Sequence, residues 1–218
     1  MARAVAAGFP HHLVQRGNNR QAVFFSKKDR QAYLSLLKAY AYKWECATLA
    51  YCLMENHVHL LAKPKKEESL YKMMQGVTLC YTQYINRTYQ RTGRLWESRY
   101  YSCIVDKKNY LWTVARYIED NPVRAGLVKR PEDFPYSSAK AHIEGIKENI
   151  LGEELFEKGQ EKDYANIFKT KIPDDEITIL RKHLRSGRPL GSVSFIKRIE
   201  NRLNRQFDLR GPGRPKKK

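Results

Sequence analysis

Residues 46–64 read CATLAYCLMENHVHLLAKP. The first nine are nearly all apolar, as expected of a strand buried on both faces. Only Glu55-Asn56 separates them from HVHLLAKP, a connection short enough to predict a hairpin. Side chains two apart on a strand share a face. His57 and His59 therefore lie side by side, while Val58, Leu60 and Ala62 point the other way and pack beneath helices. The histidine face is either open or covered by a helix that arrives late in the chain. Two neighbouring neutral imidazoles make a seat for a divalent cation, although a strand also carries paired histidines as ordinary half-exposed polar residues. His11 and His12, being adjacent on a strand, point to opposite faces and cannot both bind one ion.

Working outward, HHLVQRG (11–17) reads as an earlier strand closed by the turn-rich RGNNRQ. Tyr33, Leu36, Leu37 and Tyr40 recur at helical spacing between Asp29 and Trp44. A long helix is predicted over about 67–91, with Leu70, Met73, Met74, Val77, Tyr81, Tyr84 and Ile85 inward. RTGRLWESRYYSCIV supplies a turn and a fourth strand. DKKNYLWTVARYIEDNP follows as a helix, with Asp106 as N-cap and Pro122 as its stop. The order β-α-β-β-α-β-α predicts an α+β fold, a ferredoxin-like antiparallel sheet with helices packed on one face. Composition changes near residue 145. Residues 146–185 are polar and read as helical, SGRPLGS marks a break, VSFIKRIENRLNR a short basic helix, and GPGRPKKK a disordered basic tail.

On the helix after the fourth strand, Leu111, Val114, Ala115 and Ile118 form the buried stripe. Tyr117 and Asn121, four apart, share a flank of it. Asn121 offers an amide oxygen as a third metal ligand and Tyr117 a hydroxyl nucleophile. Tyr110 competes for that role but sits about three turns from Asn121. Pro122 biases Asn121 away from helical angles, so a capping role for Asn121 stands beside the ligand role. In a chain with 14 tyrosines, Tyr117 also reads as a packed interfacial side chain.

The chain has 218 residues and a formal net charge of +18, with the excess spread along its whole length. That balance points to a polyanionic partner, nucleic acid first. There is no apolar run long enough to span a membrane and no convincing signal peptide. The four cysteines are scattered, without a CxxC pair, as in a reducing cytosol. The expected location is cytoplasmic and nucleoid-associated, with no membrane partner.

The motifs QRGNNRQ, MENHVHLL, GRLWESRY, YIEDNPVRAGLV and FPYSSAKAH occur in the order seen in REP-associated tyrosine transposases, part of the wider HUH single-tyrosine transposases of small bacterial insertion sequences. The resemblance covers roughly residues 9–145. It implies an HUH nuclease fold over 1–145, a helical C-terminal extension over 146–208 and a basic tail over 209–218. It implies His57 and His59 as metal ligands, Tyr117 as nucleophile and Asn121 as third ligand, where insertion-sequence relatives usually carry glutamine. The implied activity is a metal-dependent single-stranded DNA endonuclease and strand transferase. It acts on hairpin-forming, REP-like repeats through a 5′-phosphotyrosine. Mg²⁺ or Mn²⁺ would serve, as imidazole tolerates Mn²⁺ well and Mg²⁺ prefers oxygen; the lack of a thiolate argues against zinc. The protein would act as a monomer or homodimer.

Around that site, Arg16, Asn18, Asn19 and Arg20 would bind phosphates or base edges, or else form a solvated turn. Trp96 with Arg99 would stack on an unpaired base, or Trp96 closes the core edge. Arg124 and Lys129 would touch the DNA backbone. The Gly-Arg-Pro tail resembles an AT-hook core but also suits a plain cationic tail. Two other functions compete: a non-catalytic nucleic-acid binder on the same sheet, and a rolling-circle replication initiator or relaxase-like nuclease.

Overall fold

A computed structural model describes residues 3–207. The tail read as AT-hook-like or disordered lies outside the described residues.

The sheet has four antiparallel strands in the order β2-β3-β1-β4: β1 His11–Arg16, β2 Cys46–Met54, β3 His57–Pro64 and β4 Tyr101–Ile104. Met54 pairs with His57 across the two-residue turn, as the sequence predicts. Among the described residues eight α-helices surround the sheet: α1 Lys27–Lys43, α2 Ser69–Thr88, α3 Lys107–Glu119, α4 Asn121–Arg124, α5 Ala139–Glu144, α6 Glu161–Asn166, α7 Asp174–Ser186 and α8 Val193–Leu203.

One face of the sheet carries Leu13, Tyr51, Leu53, Val58, Leu60 and Ala62 against α1 and α2. α1 opens on a reciprocal cap. Ser26 accepts from the Asp29 amide at 3.3 Å, and the Asp29 carboxylate accepts from the Ser26 amide at 2.7 Å. The two helices cross closely because position 76 is glycine: a Cβ there would stand 2.0 Å from the Tyr40 ring.

Of the two alternatives for the histidine face, open or covered late in the chain, the second is observed, so helices lie on both faces of the sheet rather than on one. α3 and α7 cover the opposite face, packing Leu111, Val114, Ala115, Ile118, Leu180 and Leu184 on Val14, Ala50, Cys52 and Leu61. The physical reason lies in β2 and β3, whose side chains are buried in both directions and so require cover on both sides.

Residues beyond 145 are only in part helical. The stretch 150–156 runs along the β2 edge, where the Gly152 amide donates to the Thr48 carbonyl at 2.9 Å and Lys63 pairs with Glu153 at 2.6 Å. At the other edge Leu190 bridges beside Val105, its amide donating to the Ile104 carbonyl at 2.7 Å. The C-terminal segment thus shields part of both sheet edges, which would otherwise present unpaired backbone groups.

Candidate functional site

β3 begins at His57 because the hairpin turn ends there, and its alternation puts His57, His59 and Leu61 on the α3 face. α3 starts where Asp106 accepts from the Lys108 amide at 3.1 Å. From that cap its apolar stripe fixes the rotation that delivers Tyr117 onto the histidines. The Tyr117 ring centroid lies 5.8 Å from that of His59, and His59 lies 4.9 Å from His57. Tyr110 packs on the far part of the same core, so the structure brings Tyr117, of the two tyrosines, to the histidines.

A third imidazole joins them. His12 lies 5.7 Å from the Tyr117 ring and 5.4 Å from the His59 ring, and its Nε2 is 3.1 Å from His59 Nδ1 in a buried hydrogen bond. The sequence separates His11 from His12 correctly: His11 faces the opposite side, where its Nδ1 donates to the Phe9 carbonyl at 2.8 Å. What the sequence does not supply is register. With Val14 opposite His59 and His12 opposite Leu61, His12 falls diagonally beside His59.

The imidazoles suit a cation. Burial lowers His57 to about 4, with the Arg16 and Arg124 charges adding to it, and lowers His12 to about 3; His59 is also held well below the usual histidine range by burial and its neighbours. All three are neutral at physiological pH, the form that ligates metals. His57 Nδ1 bonds to Asn56 Oδ1 at 2.6 Å and His59 Nδ1 is occupied by His12, which leaves both Nε2 atoms for a ligand role. Among the described residues no three His, Cys, Asp or Glu side chains form a ready metal cage. The set fits a cation that takes two protein nitrogens and completes its shell with water and phosphate oxygens.

Asn121 occupies another position than the ligand reading supposes. Its Nδ2 donates to the Tyr117 and Ile118 carbonyls at 2.9 and 3.0 Å, and its Oδ1 accepts from Arg124 at 2.7 Å. It caps the end of α3, the alternative that Pro122 raised. Arg124 belongs to the site rather than to the outer surface: its guanidinium sits 4.2 Å above the Tyr117 ring and donates to the Tyr117 carbonyl at 3.2 Å. Tyr117 itself is only 4% exposed.

Trp96 is a correction. It is 8% exposed and packs against Tyr33 and Tyr81 in the α1–α2 core, so its faces are taken and it offers no open platform for a base. Asn18, Asn19 and Arg20 are exposed on a tight loop in which the Asn18 amide donates to the Leu95 carbonyl at 2.8 Å. Arg16 is half-buried beside His57; Arg99 and Lys129 are exposed.

Just past Tyr117 lies a network that no sequence pattern signals. Glu119 is fully buried and accepts from Ser138, from His142 Nδ1 at 2.6 Å and from the Tyr164 hydroxyl at 2.7 Å. It ties the tyrosine helix to α5 and α6 through charge-assisted bonds.

A sequence profile described as IS200-like transposase matches residues 7–121, more than half of the chain. The chain belongs to the IS200-like transposase family. A Haemophilus influenzae protein named as a REP-associated tyrosine transposase is 26% identical over 119 residues, which is 50% of this chain and 65% of that one. The chain therefore matches somewhat less than two thirds of that relative's length. A solved REP-associated tyrosine transposase, bound to a REP hairpin, superposes with a TM-score of 0.57 at 16% identity, covering 73% of this chain and 94% of the other. That likeness shows the shared fold. A Deinococcus radiodurans transposase structure aligns at 17% identity with a TM-score of 0.39, over 55% of this chain and 95% of its own. No helix among the described residues is long and apolar enough to cross a membrane.

Proposed function

We propose that this transposase-family chain cuts and rejoins single-stranded DNA next to a hairpin, using Tyr117 as nucleophile. The observation that carries the reading is the meeting of the Tyr117 ring with His59 and His12 from two different strands. A hairpin substrate is supported by the similarity to the hairpin-bound relative. His57 and His59 would hold a Mg²⁺ or Mn²⁺ ion through their Nε2 atoms, and that ion would supply positive charge to the scissile phosphate. The Tyr117 oxygen attacks phosphorus and gives its proton to solvent, the P–O3′ bond breaks, and the departing 3′ oxygen takes up a proton. A 5′-phosphotyrosine and a 3′-hydroxyl result. Because a phosphodiester is conserved throughout, a second 3′-hydroxyl reverses the step without ATP.

Arg124 has two tasks in this reading. It covers the Tyr117 ring and engages the Asn121 oxygen. An incoming phosphate would compete for the guanidinium and uncover the phenol.

A dye-labelled hairpin with an unpaired flank, incubated with Mn²⁺ or with EDTA, tests the proposal. Cutting and a covalent adduct with Mn²⁺ alone are expected; metal-independent cutting contradicts it. One observation favours the second reading, a binder without chemistry: Asn121 Oδ1 is already engaged. That reading predicts hairpin binding unchanged by EDTA or by His57→Ala, with no adduct.

A further inference from the structure

Beside the catalytic end of the sheet, two clefts share Arg3, Arg99 and Tyr100 in their walls. The smaller, of about 310 Å³, is completed by Arg185, Ser186 and Gly187 at the C-terminal end of α7, and by Ser102. No Asp or Glu lines either cleft among the described residues. Arginines gathered without a carboxylate repel one another until an anion arrives, and the guanidinium fork matches phosphate. Arg3 is fixed in place: its Nε donates to the Tyr100 carbonyl at 2.6 Å and its guanidinium lies 4.2 Å over the Tyr100 ring. In the wall, the Ser102 hydroxyl is buried and has no partner.

The larger cleft, of about 500 Å³, has a different chemistry. It is lined by Tyr71, Met74, Gln75, Thr78 and Gln15. Tyr71 is 49% exposed and presents an aromatic face. Gln15 is 5% exposed, and its Oε1 is buried without a hydrogen-bond partner. An orphaned buried amide is costly in a structure that pairs most of its polar groups. An amide beside an aromatic ring suits the polar edge and the π-face of a nucleobase.

The smaller cleft opens at the β4 edge and the larger on the α2 face, the side opposite the histidine pocket, so a strand leaving that pocket reaches them round the β4 edge. His57 pairs with Arg16 on β1, and the Arg16 carbonyl accepts from the Glu97 amide at 2.9 Å. Glu97, two residues before Arg99, is thus two strand spacings, about 10 Å, from His57.

We propose that these joined clefts form a subsite for the unpaired flank of the DNA: the arginines hold a backbone phosphate, and the base of that nucleotide enters the larger cleft against Tyr71 and Gln15. The inference rests on the DNA reading of the Tyr117 pocket but not on its chemistry. It also gives the C-terminal segment a part in substrate binding, because Arg185 comes from α7.

The test is fluorescence anisotropy on the full chain in EDTA, where no strand is cut. Three probes are compared: a blunt hairpin, the same hairpin with an unpaired flank, and one whose flank is duplexed. The unpaired flank is expected to tighten binding about tenfold, the scale of one stacked base. Arg3→Ala with Arg185→Ala should remove most of that tightening, leave blunt-hairpin affinity unchanged and flatten the salt slope by about 0.7 for each phosphate no longer neutralised. Gln75→Ala, an exposed change, should weaken the flanked probe alone. The subsite is overturned if the flank adds nothing, if the duplexed flank binds as tightly as the unpaired one, or if the arginine variant weakens all probes equally. Failure of Tyr117 to form an adduct would overturn the catalytic reading and leave this result standing.

Discussion

The two faces of the sheet are built from the same strands and have opposite characters. On the α1–α2 face, Val58, Leu60 and Ala62 enter a core of aliphatic and aromatic side chains in which Tyr33, Tyr81 and Trp96 interlock. On the α3 face the next residues along, His59 and His57, leave the apolar core at Leu61 and end in a polar pocket with Tyr117. Both faces are stabilised by area removed from water; the second also holds, at its His57 end, buried polar groups that need partners to stay. Stability and chemistry are thus separated by one residue of strand period, and substitutions on one face should leave the other's property intact.

The sharpest way to break that division is Tyr117→Phe. It should reduce strand cutting by at least about a thousandfold while the melting temperature stays near that of the parent, measured by adduct formation on a denaturing gel and by calorimetry. A large loss of stability would mean Tyr117 belongs to the structural half. The mirror experiment is Leu60→Ala, which should cost about 2–5 kcal/mol in denaturant unfolding. Below the unfolding midpoint, metal-dependent cutting should persist.

These contrasts show how much was legible in the sequence. The β2–β3 hairpin was, because a buried strand, a two-residue turn and an alternating strand leave one arrangement. The Tyr117–His59 meeting followed from strand period and helix stripe with the motif resemblance. The second helical layer, His12 and the Glu119 network were not, because each depends on which distant elements pack together. Period alone says which side a residue faces but not what stands opposite. Trp96 had two readings, and burial against Tyr81 chose the structural one. Asn121 shows the reverse case: Asn-Pro at a helix end signalled a cap, and its amide does cap α3.

Glu119 sharpens the comparison, since it is a polar group on the functional face with a structural task. Glu119→Gln should cost about 1–3 kcal/mol by removing the charge from three buried bonds. Tyr164→Phe should cost less, because the carboxylate keeps two partners. Chemical denaturation of both variants checks the order.

A separate expected effect, spread over several pH units, is one of acid stability. His11, His12 and His57 titrate at about 4, 3 and 4 in the folded chain because burial disfavours their charged forms, against about 6.5 when unfolded. Between pH 6.5 and about 4 the unfolded state binds more protons, so stability falls as pH falls, by up to about 1.4 kcal/mol per pH unit for each imidazole. Above pH 7 these groups contribute no slope. Urea midpoints measured across that range, with His11→Asn as a control for the non-catalytic face, test the assignment. Flat stability from pH 7 to 5 would contradict it.

The central claim is that the Tyr117 oxygen becomes joined to DNA beside the His57–His59 pair. Peptide mapping by mass spectrometry of the covalent adduct formed with Mn²⁺ and a flanked hairpin tests it most directly. The account predicts a 5′-linked nucleotide on Tyr117, absent in EDTA and in His59→Ala. A nucleotide on Tyr110, or an adduct at Tyr117 that survives both treatments, would contradict it.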